Sequence, residues 1–369
     1  MPSSPSSGSM AGPELWTLGV ASPRSVRHAA ARAEAAGWDG FAVVDSQNLS
    51  GDCYVALAVA AATTQRVRLG TGVTNPVTRH PAVTASAIAS IHVLSGGRAV
   101  LGIGRGDSAL AHLGRAPAPV GVLDRYLAAL QGYLRAEEVP FADLGLQDAI
   151  APPIEGLGLA GTPAASRLAV VRDDLPKVPV EVAATGPRTI GVAARRADRV
   201  MLAVGADPAR VRWGVDTARD ARSAAGLDPD GVAFGAYVNV VADPDVDQAR
   251  RLVRGGLSTF ARFSVMHGAV QGPASEEQRA VFAELHRSYD MTRHTRADSP
   301  QTGTLTAGFV DRYAVVGPPE RCAERLGELA GLGLSKFVVI GPTAGVDRER
   351  AAAAIGRFEA EVLPALSGR

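Results

Sequence analysis

The sequence predicts an α/β fold, a (β/α)₈ TIM barrel with insertions after strands four and seven. Three observations predict it. Strand-like and helix-like periodicity alternate along the chain through eight units. Such alternation implies parallel strands joined by right-handed crossovers, and eight units close naturally into a barrel. The rival, an open doubly wound sheet, would carry G-x-G-x-x-G after its first strand, and none stands there. Finally, 369 residues is a length that a single barrel with insertions reaches.

The elements follow in order. Leu15 to Val20 is a short apolar strand. Ser22 and Pro23 read as the N-cap and first position of an Ala-rich helix that stops at Gly37. Phe41 to Asp45 is strand two, and Asp52 to Thr64 is a helix. Val67 to Thr74 is strand three, followed by a helix over Pro81 to Leu94 closed by Gly96 and Gly97. Ala99 to Gly104 is strand four and Val122 to Ala136 a helix. An irregular stretch rich in Gly, Pro and Asp, Pro140 to Lys177, leads to strand five, Val178 to Ala184. Then come helix Pro187 to Arg196, strand six Arg199 to Val204, helix Pro208 to Ala225, strand seven Val232 to Val241 and helix Val246 to Phe263. A second excursion holds a helix over Glu276 to Tyr289 and a polar loop, Thr292 to Thr306. Helix Pro319 to Leu332, strand eight Lys336 to Ile340 and helix Asp347 to Leu363 complete the chain.

Residues 1–13 are expected to form a disordered tail, and residues 14–369 one domain. The tail is rich in Ser, Pro and Gly and has no apolar h-region, so it does not read as a signal peptide. Hydrophobic residues at 46% and charged residues at 20% place the chain among globular proteins. A formal charge of +1 gives no electrostatic reason to expect a nucleic-acid or membrane-surface partner. The apolar run from Val83 to Ile103 is broken by His92 and Arg98, so it does not read as a membrane span. Cys53 and Cys322 are too few and too distant for a disulfide framework or a zinc site, and read as reduced thiols of a cytoplasmic protein.

In a barrel, function sits just past the C-terminal ends of the strands. Strand two ends in Asp45-Ser46-Gln47, strand three in Gly72-Val73-Thr74-Asn75-Pro76, and strand four in Gly104-Arg105-Gly106-Asp107-Ser108. Strand five ends in Thr185-Gly186-Pro187-Arg188 and strand six in Gly205-Ala206-Asp207. The strand-five turn places a hydroxyl, a glycine and a proline at a helix start. It reads either as an ordinary N-cap or as a phosphate site built from free N–H groups and the helix dipole. Asp107 and Asp45 likewise read either as turn caps or as functional acids. His28 and His92 sit within helices, where a core or surface role is the ordinary one. No H-E-x-x-H, Cys/His pairing or carboxylate cluster points to a metal, and no G-x-S-x-G to a hydrolase.

The runs Arg68-Leu69-Gly70-Thr71-Gly72-Val73-Thr74-Asn75-Pro76, Arg79-His80-Pro81-Ala82 and Leu101-Gly102-Ile103-Gly104-Arg105-Gly106-Asp107-Ser108 together resemble the luciferase-like oxidoreductases. So do Ala184-Thr185-Gly186-Pro187 and Phe309 to Pro318. Within that family the chain is most like the methylene-tetrahydromethanopterin reductase branch, which uses the deazaflavin coenzyme F420. The resemblance runs from about Leu15 to Leu363. It implies a non-proline cis peptide at Gly72–Val73. It implies that Thr74, Asn75 and Asp107 contact the ring or its side chain, with Gly106 in the same turn. It further implies that Asp45 and Ser46 line the ring pocket, and that Ala184, Thr185, Gly186, Pro187 and Gly205 hold the phosphate.

Two positions depart from the family. Ser46 stands where its sugar-phosphate and alcohol dehydrogenases carry histidine, and strand one lacks the acid of the archaeal pterin reductases. The implied reaction is therefore F420-dependent hydride transfer to or from an organic small-molecule substrate, read as reduction of C=N or C=C, with Asp107 as the candidate catalytic residue. The alternatives are a flavin mononucleotide (FMN) monooxygenase and a non-catalytic flavin or deazaflavin carrier. The resemblance implies a homodimer, and both excursions are expected to shape the substrate pocket.

Overall fold

In the computed structural model, residues 12–22, 24–145, 150–169 and 174–367 are described. Strand β1 (Glu14–Gly19) pairs with β2 (Gly40–Val43), β2 with β3 (Arg68–Thr71), and β3 with β4 (Ala99–Ile103). β4 pairs with β5 (Val180–Ala184), β5 with β6 (Arg199–Leu202), and β6 with β7 (Ala233–Ala242). β7 pairs with β8 (Leu334–Ile340), and β8 returns to β1. All eight pairings are parallel and follow chain order, so the sheet closes into the expected barrel.

Three expectations shift at element ends. β3 stops at Thr71 instead of Thr74, the Gly72–Val73 peptide is cis, and pairing resumes only as a bridge between Thr74 and Ile103. The first helix runs Val26–Ala36, flanked by Ser25 and not by Ser22, whose carbonyl accepts the Val26 N–H at 2.9 Å. Pro23, expected at its start, lies outside the described residues, as do residues 1–11 of the tail. The last helix, Arg348–Arg357, continues through a π-helical turn at Phe358–Val362 into Leu363–Ser367.

Alternation along the strands sorts the core into two layers. Leu15, Leu69, Leu101, Val180 and Phe337 face the helices, whereas Trp16, Val100, Met201, Tyr237 and Val338 fill the barrel. Towards the strands' N-terminal ends the interior also carries charge. Lys336 Nζ donates to Glu181 Oε2 at 2.7 Å and lies 3.2 Å from the Trp16 ring centroid. Arg199 joins Glu181 at 2.9 Å and Glu14 at 3.1 Å, and Arg68 reaches Glu14 at 3.3 Å. Burial pulls the Lys336 ammonium below its ordinary pKa while Glu181 opposes it.

The excursions lie differently from one another. Pro140 to Lys177 follows the crossover helix Val120–Leu134, which has already carried the chain back to the strands' N-terminal ends. There His92 Nε2 and the Pro176 carbonyl are 2.8 Å apart, and Tyr133 Oη meets Ser166 Oγ at 2.9 Å. The second excursion instead stays at the C-terminal mouth. Helix Val246–Phe263 packs Gly256 against Asn239, late in β7, and Ile340, the end of β8. A short strand, Val315–Gly317, then pairs with the end of β7 and leads into the true crossover helix, Pro319–Ala330. Cys53 and Cys322 are buried free thiols, and among the described residues no helix is long and apolar enough to cross a membrane.

Candidate active site at the strand ends

A cavity of 1140 Å³ opens at the C-terminal ends of the strands. Its wall takes Asp45 and Ser46 after β2, Gly72, Val73 and Asn75 after β3, and Gly104 to Ser108 after β4. Thr185 to Arg188 follow β5, and Gly341 to Ala344 follow β8. Tyr237 rises from inside the barrel, and Phe260, Phe263, Met266, Met291 and His294 come from the second excursion. The first excursion, Pro140 to Lys177, contributes no wall residue among those described, contrary to expectation, because it sits at the opposite end of the barrel.

Asp45 organises the β2–β3 side. It is 2% exposed and accepts three side-chain hydrogen bonds, from Thr74 Oγ1 at 2.7 Å, Gln47 Nε2 at 2.7 Å and Arg79 Nη1 at 2.6 Å. Arg79 also bridges to Asp52 at 2.7 Å, and Asp52 caps helix Cys53–Thr63 through Tyr54 and Val55. The carboxylate is thus a structural hub that pins the chain just past the Gly72–Val73 bond. Asn75 Oδ1 accepts from the Val77 and Thr78 N–H groups, while its buried Nδ2 has no partner. An orphaned donor on a cavity wall is a group waiting for an acceptor.

The β5 turn carries a concentration of positive charge. Helix Pro187–Arg196 begins at Gly186, which offers no side-chain cap, so its first-turn N–H groups remain free. Arg188 makes no ion pair or hydrogen bond among the described residues. Arg105 reaches in from the β4 turn, anchored by its Nε to the Ala118 carbonyl at 2.6 Å. Burial and the neighbouring Arg188 charge hold its pKa below the ordinary value. Two guanidiniums beside a helix N-terminus form an anion cradle. Both arginines stand at strand ends named in the sequence, and the pairing of β4 with β5 brings those two turns together.

A third cluster spans the mouth. Asp107 forms an ion pair with Arg262 at the end of helix Val246–Phe263. The Arg262 guanidinium lies 4.6 Å from the Tyr289 ring centroid. Tyr289 Oη is 2.8 Å from His294 Nδ1 and 3.0 Å from Thr259 Oγ1. Burial pushes the His294 imidazole down to about 4, with Asp107 opposing and Arg262 and His112 adding to the shift. Gly106, at φ 82°, makes the turn that aims Asp107 at Arg262, and a Cβ there would strike Leu110.

Of the residues singled out in the sequence, Asp45, Ser46, Gly72, Val73, Asn75, Gly106, Asp107, Thr185, Gly186 and Pro187 line this one cavity. Thr74, Ala184 and Gly205 do not. Thr74 is fully buried against Asp45, Ala184 is 2% exposed, and the Tyr313 ring packs on Gly205 at φ 83°. Arg262, Tyr289 and His294 were missed. They carry no local motif, and only tertiary folding brings the excursion over the barrel.

The family model described as luciferase-like monooxygenase matches residues 3–336. The 5,10-methylenetetrahydromethanopterin reductase of Methanolobus tindarius is 28% identical over 336 residues, 90% of this chain and 94% of the relative. The F420-dependent glucose-6-phosphate dehydrogenase of Beutenbergia cavernae is 28% identical over 365 residues, 94% of each. The solved coenzyme F420-dependent tetrahydromethanopterin reductase from Methanopyrus kandleri shares the fold with a TM-score of 0.72 at 22% identity, over 96% of this chain and 100% of that one.

Proposed function

The chain belongs to the luciferase-like monooxygenase family, and on that premise we propose that it is a coenzyme F420-dependent oxidoreductase that reduces a C=N or C=C bond of a small organic substrate. The observation that carries the reading is the convergence of Arg105 and Arg188 on the uncapped helix start at Gly186, at the edge of a 1140 Å³ cavity. That volume exceeds the usual ~300–1,000 Å³ of a single-ligand pocket, leaving room for a cofactor ring and a substrate together. Relatives named as F420-dependent support the choice of cofactor.

The residues present fit such a cofactor. Arg105, Arg188, Thr185 and the N–H groups after Gly186 would hold its phosphate. The unpartnered Asn75 Nδ2 would donate to a polar edge of the ring, beside Gly72–Val73, Ser46 and Gly106. When bound and reduced, the deazaflavin supplies a hydride. The chain's own work is to position the ring face and exclude water, with Phe260, Phe263, Met266 and Met291 on the cavity wall. Asp107 acts through its ion pair with Arg262, holding the helix end over the cavity, so we assign it a positioning role. Asp45 positions Thr74 in the same way.

We also propose that the chain pairs with a second copy through helices Cys53–Thr63 and Pro81–Leu94. Neither carries Asp, Glu, Lys or Arg, and Val55, Val83, Val93 and Leu94 on them are each at least 40% exposed. Helices that are apolar all round are ordinarily buried.

Titration of the purified protein with coenzyme F420 and with flavin mononucleotide, followed by absorbance or fluorescence, tests the cofactor. Micromolar binding of F420 is expected; binding of flavin mononucleotide alone would reject it. A flavin-dependent monooxygenase is the second reading, favoured by the family model's description. Oxygen consumption during turnover separates the two, since deazaflavins do not activate oxygen.

A further inference from the structure

We propose that His294 donates the proton that completes substrate reduction in this cavity, with Tyr289 refilling it from behind. This rests on the reductase reading above, which by itself leaves the proton source unassigned: β1 carries no acid facing the cavity, Ser46 cannot serve as an acid, and Asp107 is committed to Arg262.

The geometry supplies a donor with a direction. His294 Nδ1 is 2.8 Å from Tyr289 Oη, so that side of the ring is occupied. His294 stands on the cavity wall, and its Nε2 has no hydrogen-bond partner among the described residues. With Tyr289 donating to Nδ1, the imidazole is the neutral Nε2–H tautomer and presents an N–H to the cavity. The charged and titratable groups around it are Asp107 from the β4 turn, His112 a few residues after it, Arg262 from helix Val246–Phe263, and Tyr289 itself. Their net effect together with burial is to keep the ring neutral at ordinary pH.

The step balances as follows. As the acceptor bond takes a hydride from the reduced cofactor at one atom, its π electrons move to the other atom, which takes the proton from His294 Nε2. The electron pair left on the imidazole is satisfied when Nδ1 takes the Tyr289 proton. The phenolate then lies beside Arg262, whose Nε is buried without a partner and whose guanidinium is 4.6 Å from the ring centroid. Thr259 Oγ1 is 3.0 Å from the same oxygen, within hydrogen-bond distance, and water later restores the proton.

Two measurements test this. In histidine-labelled protein, ¹⁵N NMR should show one imidazole, absent from His294→Gln, that is a neutral Nε2–H tautomer down to about pH 5. Tyr289→Phe should shift that ring's tautomer balance. A His294 ring that is Nδ1–H, or that titrates at the ordinary histidine value, overturns the proposal. Kinetically, reduced F420 is assayed with 2-cyclohexen-1-one, whose enolate needs a proton, and with menadione, whose reduced form leaves as a stabilised anion. His294→Gln should lose about 10²-fold or more in kcat with the enone, and at most about a tenth of that factor with the quinone. Equal losses would mark a structural role and reject the relay. A wild type that binds F420 but reduces neither acceptor leaves the NMR tautomer as the deciding readout. Failure to bind F420 at all sinks the reductase reading, whereas binding with an Nδ1–H ring sinks only the relay.

Discussion

Replacing Gly186 with valine separates a ligand-binding turn from a mere helix cap. Gly186 stands at φ −92° and ψ 156°, extended backbone that valine prefers. A Cβ built there meets nothing nearer than Gln271 Oε1, at 3.5 Å, which is ordinary contact. The variant should therefore fold, with a stability change within about 0.5 kcal/mol. Its methyl groups would nevertheless fill the space through which an anion approaches the free N–H groups of the first turn. Losing one or two charge-assisted hydrogen bonds at about 1.5–3 kcal/mol each costs roughly 3 kcal/mol. At 1.4 kcal/mol per decade, that is about a hundredfold in Kd. The assay is fluorescence titration of F420, paired with thermal melts of both proteins. An affinity within about threefold of wild type, in a variant that melts normally, would refute the phosphate role of this turn.

Three further outcomes are expected. Asp45→Ala strands Thr74, Gln47 and the Arg79 guanidinium around an empty buried site, so it should lower stability by about 3–5 kcal/mol, with Asp45→Asn losing less; a urea-midpoint shift equivalent to less than about 1 kcal/mol would contradict the hub. The His294 pKa is depressed to about 4, so below about pH 6.5 the unfolded chain takes up a proton that the folded one refuses, and stability falls as pH drops from about 6.5 to 4. A shift of this size corresponds to roughly 3 kcal/mol, and His294→Gln should remove that part of the decline between denaturation curves at the two ends of the window. Val55→Glu and Val83→Glu each place a charge on the apolar outer face, and sedimentation should show a monomer; an unchanged dimer would relocate the interface.

The barrel was legible because each strand is a short apolar run bounded by turn residues, and neighbours in sequence are neighbours in space. The same logic located the polar residues after β2 to β5, which meet because consecutive strands pair. It failed where adjacency is not sequential. Arg262 reads as one more helical arginine, and only the folding of its helix over the barrel, with Gly256 against Asn239 and Ile340, brings it to Asp107. His294 and Tyr289 lie five residues apart in a polar stretch with no motif. Gly205 misled for the opposite reason. A glycine after a strand looks like a place for phosphate, yet the space is taken by Tyr313, more than a hundred residues later. The first excursion misled because a crossover helix had intervened before it began.

The ionic cluster in the barrel floor has a kinetic consequence. Trp16 and Lys336 are each 1% exposed and Glu181 is 5%, so the far end of the barrel is sealed. The cavity at the other end is closed from this side. Two reactants that share one doorway form a queue, and the first admitted is the last able to leave. Steady-state rates should then show compulsory order, with one product competing against only one of the two reactants.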